Sequence, residues 1–410
     1  MPKKVTVIGA GPAGMTAAAF AAKNGAEVTL LERNEKPGRK LAITGKGRCN
    51  VTNNCPLLND LIMNVPVNGR FLYGAFSRFM PSDTMELFEN LGVPLKVERG
   101  NRVFPVSDNA FDIVDALDGF ASSNGVRRVT ARAESLVIEN GAVRGVNAEG
   151  GGSFISDAVI IATGGVSYPS TGSTGDGYSL AKQAGHTIIP PKPSLVPLEC
   201  HEGFCSELSG LALRNVAIRV TDNEKYREVY SDFGEMLFTH FGVSGPIILS
   251  ASSHMRDMSR GKYTISIDLK PALDSEQLDK RLVRELTDNS NKTLYNTVAT
   301  LLPRSLVPDF VKRTGIPGTV KSNQITKDER AVIGAILKDF CLTVTAFRPI
   351  EEAVVTSGGV DTGEIDPKTL KSRITDGLYF AGEVIDVDAY TGGFNLQIAF
   401  STGALAGNSI

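Results

Sequence analysis

Val5-Thr-Val-Ile-Gly9-Ala-Gly11-Pro12-Ala13-Gly14 is followed, eighteen residues beyond Gly14, by the acid Glu32, which ends a second apolar run, Val28-Thr-Leu-Leu-Glu32. The pattern reads as a strand, a glycine turn, a helix of small residues and another strand. Gly9 permits the tight turn, Gly11 lets the backbone approach a pyrophosphate, and Gly14 lets helix and strand pack closely. The helix N-terminus then faces the phosphates with unpaired N–H groups and its positive dipole end, while Glu32 can grip a ribose. A lone G-x-G-x-x-G is a weak signal. Here the strand before it, the helix after it and the acid at the right distance are all present, so the stretch predicts dinucleotide binding.

Composition narrows the class. At 410 residues the chain is too long for one ordinary core, so two or three domains are expected. A formal charge of −2 gives no global pull toward nucleic acid or an anionic membrane. No apolar run approaches the ~20 residues of a membrane span. The first strand starts directly after Met1-Pro-Lys-Lys, which leaves no room for a signal peptide. Five cysteines without framework spacing suggest reduced thiols in a cytoplasm.

Residues 1 to about 190 read as α/β, with helices over 12–23, near 82–91, over 109–124 and over Tyr178–Ala184. Val143–Val146 reads as a strand, and Phe154–Ala162 as one almost wholly apolar, hence central, strand. The character shifts at Pro190-Pro-Lys-Pro193, after which Ala217–Val220, Glu228–Tyr230 and Tyr263–Asp268 suggest antiparallel β. Helical patterning covers Ser275–Leu286, Thr293–Leu301, Leu306–Arg313 and Asp328–Phe340. Glycine-rich sequence then returns, with Leu378–Glu383 and a last helix from about Leu396. The glycine-rich ends, 1–192 and 352–410, are expected to form one discontinuous domain around an insert at 193–351. Within the insert, 193–271 and 341–351 form a β-rich, barrel-like module, and 272–340 a helical one.

The most specific stretch after the opening is Lys36-Pro-Gly-Arg39-Lys40-Leu-Ala-Ile-Thr44-Gly45-Lys46-Gly47-Arg48-Cys49-Asn50-Val-Thr52-Asn53. Basic residues among glycines, directly after Glu32-Arg33, suit a pyrophosphate or the edge of an isoalloxazine. Thr44, Asn50, Thr52 and Asn53 suit hydrogen bonds to a flat heteroaromatic ring. Ala162-Thr163-Gly164-Gly165 leaves a buried strand at the carboxyl edge of a sheet, where ligands bind. Gly382-Glu383 supplies a further element typical of FAD enzymes. Tyr390-Thr-Gly392-Gly393-Phe-Asn395-Leu396-Gln397 opens the last helix, whose N-terminus can stabilise the negative charge of a reduced flavin around N1 and O2.

On these stretches the chain resembles the bacterial flavoproteins called the YhiN/BaiN family. The resemblance also takes in Gly172–Gly177, Leu237–Pro246, Arg348-Pro349, Val355–Val360 and Gly377–Gly403, so it spans essentially the whole length. It implies an α/β fold: a Rossmann-like FAD-binding domain with a glutathione-reductase-like βαβ core and an insertion carrying β-rich and helical modules. By position it implies FAD contacts at Ala13, Glu32, Arg39, Lys40, Ala133, Glu383, Asn395 and Leu396. Gly45-Lys46-Gly47 departs from the family's usual run of three glycines, and Lys46 would add a cation beside the flavin or its phosphate.

Three side chains are candidates for proton or nucleophile chemistry. Cys49 lies inside the strongest loop, with a buried packing role as the simpler reading. His240 is either a proton donor or a hydrogen-bonded structural histidine. Tyr390, like Tyr168, flanks a flavin-side turn and could supply a phenolic proton. Asp386 and Asp388 either neighbour the ribityl chain or are solvated turn acids. Cys200-His201-Glu202-Gly203-Phe204-Cys205 has no common ligand spacing, so no metal is expected.

The expected activity is that of an FAD-dependent oxidoreductase. NADPH or NADH would deliver hydride to flavin N5, and the reduced flavin would reduce an activated C=C bond of a small organic acceptor. No second glycine fingerprint follows a strand, so the nicotinamide would dock transiently in the same cleft. Family resemblance leaves open reduction of a uridine in ribosomal RNA to dihydrouridine, and oxidation of a small amine with O2. Arg214, Arg219, Lys225, Arg227, Arg256, Arg260 and Lys262 could touch RNA phosphates, although acidic neighbours dilute them. A non-catalytic flavin sensor for a partner protein is a further alternative.

Overall fold

Lys4–Ile8 (β1) and Glu27–Glu32 (β2) lie side by side as parallel strands in a computed structural model that describes residues 1–255 and 257–410. Arg127–Thr130 (β3) extends the sheet beyond β2. On the other side of β1 come Ala158–Ile161 (β4) and Leu378–Phe380 (β5), giving the all-parallel order β5-β4-β1-β2-β3. Every residue of β4 and β5 is buried, as a sheet covered on both faces requires. Chain order reverses between β1 and β4. The crevice at the carboxyl ends of such neighbours is where open α/β sheets bind ligands.

Pro12–Lys23 (α1) follows β1 and packs against the last helix, Phe394–Asn408 (α3). Small side chains set the spacing between these helices. A Cβ on Gly403 would stand 2.5 Å from the Ala13 carbonyl oxygen, and one on Gly407 2.4 Å from that of Ala17. Asp176–Gln183 (α2) lies in the same unit, which comprises Met1–Ser194 and Pro349–Ile410.

The apolar run Phe154–Ala162 is not one strand. Gly152–Ile155 joins an antiparallel sheet with Ala133–Glu139 and Ala142–Ala148, and only Ala158–Ile161 enters the parallel sheet. The break is held by a distant residue: the Asp157 side chain accepts from the Lys4 N–H at 2.8 Å, and the Asp157 N–H donates to the Lys4 carbonyl at 2.8 Å. Pro190-Pro191-Lys192-Pro193, where the character of the sequence shifts, is itself regular structure. It lies in a strand, Ile188–Ser194, paired antiparallel with Val355–Val360. Pro190 and Pro191 fall in a register shift between Ile189 and Lys192, where no ladder N–H is demanded of them.

Leu195–Arg348 forms the second unit. Leu198–Cys200, Gly242–Ser244, Arg227–Thr239, Ala212–Asp222, Tyr263–Asp268 and Phe340–Phe347 close, in that neighbour order, into an antiparallel barrel. Val216, Ile218 and Val220 alternate inward, the period of two that a barrel wall needs. Helices Ser275–Asp288, Leu294–Val298, Val307–Thr314 and Lys327–Lys338 belong to this unit. Capping boxes start the first and last of them, through Asp274 with Gln277 and Thr326 with Glu329. The last helix stops at Lys338, and Phe340, expected to end it, begins a barrel strand. Among the described residues no helix is long and apolar enough to cross a membrane.

Candidate functional site

The opening glycines build a cradle at the head of α1. A Cβ on Gly14 would stand 1.8 Å from the Gly9 carbonyl oxygen, and one on Gly9 2.7 Å from that of Ala162. A Cβ on Gly11 would meet nothing within 4 Å. Gly9 and Gly14 are therefore closed by packing, while Gly11 faces open space. No side chain caps α1, and its first turn carries no acid. Pro12 has no N–H to leave unpaired, so Ala13 and Gly14 supply the free amides of that turn.

Glu32, buried at the end of β2, orders the ground beside the cradle. Its Oε2 accepts from the Ala10 N–H at 2.8 Å, and its Oε1 from the Asn34 N–H at 2.8 Å and the Asn34 side chain at 2.7 Å. A carboxylate has about four lone-pair sites, so acceptor capacity remains for a ribose hydroxyl. The Ala131 N–H donates to the Glu32 carbonyl at 2.8 Å, which carries the chain past Glu32 to buried Ala133. Arg33 turns away to Thr174 at 2.6 Å and Asp176 at 3.2 Å, and Arg39 reaches Asn34 at 3.0 Å.

Lys40 and Glu383 form an ion pair at 2.8 Å. Lys40 also donates to the Ser167 hydroxyl at 2.7 Å, while Glu383 Oε1 accepts from the Thr356 N–H at 2.8 Å. Thr356 Oγ1 accepts from the Val166 N–H at 2.9 Å, locking the turn after Thr163-Gly164-Gly165. Gly164 and Gly382 line this same place, the Gly382 N–H donating to Thr402 at 2.9 Å. Ser167 and Thr356 are functional candidates that sequence reasoning missed. Thr356 lies in a stretch that was recognisable but carried no chemical role of its own.

The glycine-rich loop divides the basic residues into two kinds. Arg48 is tied to Asp108 at 2.7 Å and to Glu98, with its guanidinium 4.2 Å from the Phe104 ring centre. Lys46 is exposed and makes no ion pair among the described residues; Gly45 and Gly47 flank it. Cys49 is fully buried, and burial pushes its thiol up to about 12, so it is neutral at physiological pH. With its amide nitrogen toward the Val103 carbonyl, Asn50 accepts from the Gly393 N–H at 3.0 Å. Thr52 donates to Gln397 at 2.6 Å, and the Asn53 amide to the Gly392 carbonyl at 3.1 Å. Gly393 has φ 102°, and a Cβ there would stand 2.3 Å from the Thr52 carbonyl, so only glycine lets this loop and the head of α3 meet.

No side chain caps α3 either. Asn395 instead clamps the approaching loop: its Oδ1 accepts from the Ala389 N–H at 2.9 Å and its Nδ2 donates to the Ala389 carbonyl at 2.8 Å. Gly392, Gly393, Asn395 and Leu396 are half-exposed there. Tyr390 is also half-buried. Burial, then the nearby Asp388, raises its phenol above the ordinary tyrosine range. Asp386 and Asp388 are buried rather than solvated. In the barrel unit His240 is exposed at a strand end, its ring 4.9 Å from that of Phe241. Of the basic residues there, Arg214, Lys225, Arg227 and Arg260 are exposed, Arg219 faces Asp339 at 3.9 Å, and buried Lys262 faces Glu224 at 3.5 Å. Arg256 lies outside the described residues.

These residues fit an FAD. The opening over Gly11 with free helix amides suits a pyrophosphate, Glu32 retains acceptor capacity for a ribose, and the loop at 44–53 meets the uncapped head of α3 where a flavin ring would lie. Comparison with known proteins agrees with this geometry. The model of the HI0933-like protein Rossmann domain matches residues 3–409. The chain is 31% identical to the 3-dehydro-bile acid delta(4,6)-reductase of Clostridium scindens over 99% of this chain and 98% of that protein. It is 34% identical to the ribosomal RNA dihydrouridine synthase of Escherichia coli over 97% of this chain and 95% of that protein. A solved structure of 3-ketosteroid delta1-dehydrogenase from Sterolibacterium denitrificans shares the fold, with a TM-score of 0.52, 14% identity and 99% of each chain covered. The chain belongs to the HI0933-like family of FAD-dependent oxidoreductases.

Proposed function

We propose that this protein reduces an activated C=C bond of a small organic acceptor, with NADPH or NADH as electron donor. The observation that carries this reading is the end-to-end match to a protein named as a reductase of an unsaturated bile acid. FAD, when bound, supplies the two-electron carrier between donor and acceptor. The chain's own residues hold and polarise. The amides of Ala13 and Gly14 and the α1 dipole bind the pyrophosphate, with Glu32 on the ribose. Lys40, Ser167, Thr356 and Glu383 fix the turn at Gly164 and Gly382. The head of α3, at Gly393, Asn395 and Leu396, favours negative charge on the ring. Arg33, Arg39, Gly45, Lys46, Gly47, Asn50 and Thr163 complete the surround, and Tyr390, neutral across the physiological range, is the proton donor we favour over Cys49 and His240. Without a second glycine fingerprint, the nicotinamide shares the substrate cleft and leaves before the acceptor binds. All five cysteines are unpaired, which supports a reducing compartment such as the cytoplasm.

A second reading is reduction of a uridine in ribosomal RNA, favoured by the match to the Escherichia coli protein. Exposed Arg214, Lys225, Arg227 and Arg260 would contact phosphates in that case. Anaerobic mixing with NADPH and NADH tests the donor: the yellow colour bleaches within seconds on this reading, and an unbleached protein after minutes contradicts it. Reoxidation by a steroid-like enone, against reoxidation by a uridine-containing rRNA fragment, separates the two acceptors.

A further inference from the structure

Asp388 is the most deeply buried carboxyl among the described residues, 1% exposed. Its Oδ2 accepts from the Ser194 hydroxyl at 2.6 Å, Ser357 lies alongside, and its Oδ1 has no hydrogen-bond partner among the described residues. An ionised carboxylate at such depth with a bare oxygen is costly, which favours the protonated form. Burial, with Asp386 and Glu383 nearby, lifts its pKa above the ordinary carboxylate range.

Its neighbours give the position meaning. Ser194 ends the strand by which the chain leaves the first unit, and Ser357 lies on the strand by which it returns. Directly after Ser194, Leu195 takes a left-handed φ of 53°, a conformation unfavourable for a branched apolar residue that persists only when its surroundings enforce it. On its other side Asp388 belongs to a segment held at several points. Val67 bridges to Asp388, Asn68 donates to the Asp386 carbonyl at 2.8 Å, and the Tyr390 N–H donates to the Asn64 carbonyl at 3.0 Å. That segment runs straight into Gly392, Gly393 and the head of α3.

We infer that Asp388 is a positioning residue: as the neutral acid it fastens the approach to the head of α3 to the two-stranded ribbon of Ile188–Ser194 and Val355–Val360, and so sets the flavin-ring end of the cradle. This rests on the FAD reading above. The groups facing it are the hydroxyls of Ser194 and Ser357, the carboxyls of Asp386 and Glu383, and the phenol of Tyr390, with Lys40 paired to Glu383. The Ser194 and Ser357 hydroxyls donate to a carboxylate as well, but burial and the adjacent Asp386 and Glu383 carboxyls oppose a charge here, so losing the Asp388 proton loosens the fastening.

The test compares holoprotein of the wild type, Asp388→Asn and Asp388→Val. Asn keeps the shape and the acceptor for Ser194 but has no proton to lose. Bound-flavin spectrum, midpoint potential and FAD release are read at several pH values. Release from the wild type rises by about tenfold between about pH 5 and about pH 9, while Asp388→Asn keeps the low-pH rate throughout. Asp388→Val releases FAD about tenfold faster at every pH, with a shifted spectrum and potential. If Asp388→Val fails to fold, the profiles of the wild type and Asp388→Asn decide alone. A flat wild-type profile, or an Asp388→Asn profile that follows the wild type, overturns the inference. So does an Asp388→Val protein indistinguishable from wild type. A wild type that takes up no FAD removes the FAD reading itself, whereas a yellow wild type with inert Asp388 variants removes only this inference.

Discussion

Gly14 lies directly against Gly9, with no room for a methyl group: a Cβ there would stand 1.8 Å from the Gly9 carbonyl oxygen. Gly11, three residues before Gly14, has φ −80°, a conformation open to any residue, and an added Cβ meets nothing within 4 Å. The two glycines therefore answer to different demands. Gly14→Ala should lower stability by on the order of 3–5 kcal/mol, because backbone must move. Gly11→Ala should leave the flavin-free protein within about 0.5 kcal/mol of wild type yet weaken FAD binding at least about tenfold. Urea denaturation and FAD titration of both variants check this; equal effects on stability would contradict it.

The Lys40–Glu383 pair is about four-fifths buried on each side chain, at 21% exposure. Removing one charge leaves the other partly desolvated and alone. Lys40→Met should cost about 1–2 kcal/mol, discounted from the fully buried case because solvent still reaches the pair. The double variant Lys40→Met with Glu383→Gln should recover part of that loss. A double-mutant cycle in the flavin-free protein measures the coupling, and a coupling near zero would count against a structural role for the pair.

His186 is sealed in beneath the loop at 364–375. Its Nδ1 lies 3.1 Å from Glu364, its Nε2 2.7 Å from Ser372, and its ring 4.8 Å from that of Phe380. Burial lowers its pKa and outweighs the opposing pull of Glu364. The folded protein thus favours the neutral ring. Its contribution is fully present above the unfolded pKa of about 6.5 and is lost as pH falls through the lower folded value. Thermal melting of the wild type should fall more steeply below about pH 6.5 than that of His186→Gln. Parallel curves would show that this ring does not titrate as described.

Cys49 is expected to be chemically quiet. With the Cys49 thiol pushed up to about 12 by burial and that of half-buried Cys341 only to about 11, iodoacetamide near neutral pH should label Cys341 before Cys49. Cys49→Ala should bleach with NADPH at the wild-type rate. Loss of bleaching with FAD still bound would restore Cys49 as a catalytic candidate.

The cradle was legible in the sequence because close approach of backbone to backbone demands glycine, which Gly9 and Gly14 declare locally, while Gly11 keeps the opening clear and Glu32 ends the next strand at the expected distance. The barrel strands at 217–220, 228–230 and 263–268 were legible from alternation such as that of Ile218 and Val220, whereas the short strands Leu198–Cys200 and Gly242–Ser244 were not. What was not legible depends on partners far along the chain. Nothing in Phe154–Ala162 shows that Asp157 bonds the Lys4 N–H and breaks the run, and nothing beside Arg48 announces Glu98 and Asp108. Asp388 looks like a turn acid until Ser194 closes over it from 194 residues away. Hydrophobic period reports which face is buried, not which distant polar group waits there.

Equilibrium titration of the flavin-stripped protein with FAD, followed by quenching of FAD fluorescence and by the bound-flavin spectrum, bears most directly on the cradle. One FAD should bind tightly per chain, and binding should weaken in Gly11→Ala while that variant stays folded. A well-folded wild type that leaves FAD fluorescence unchanged, or a Gly11→Ala protein that binds FAD as tightly as wild type, would contradict it.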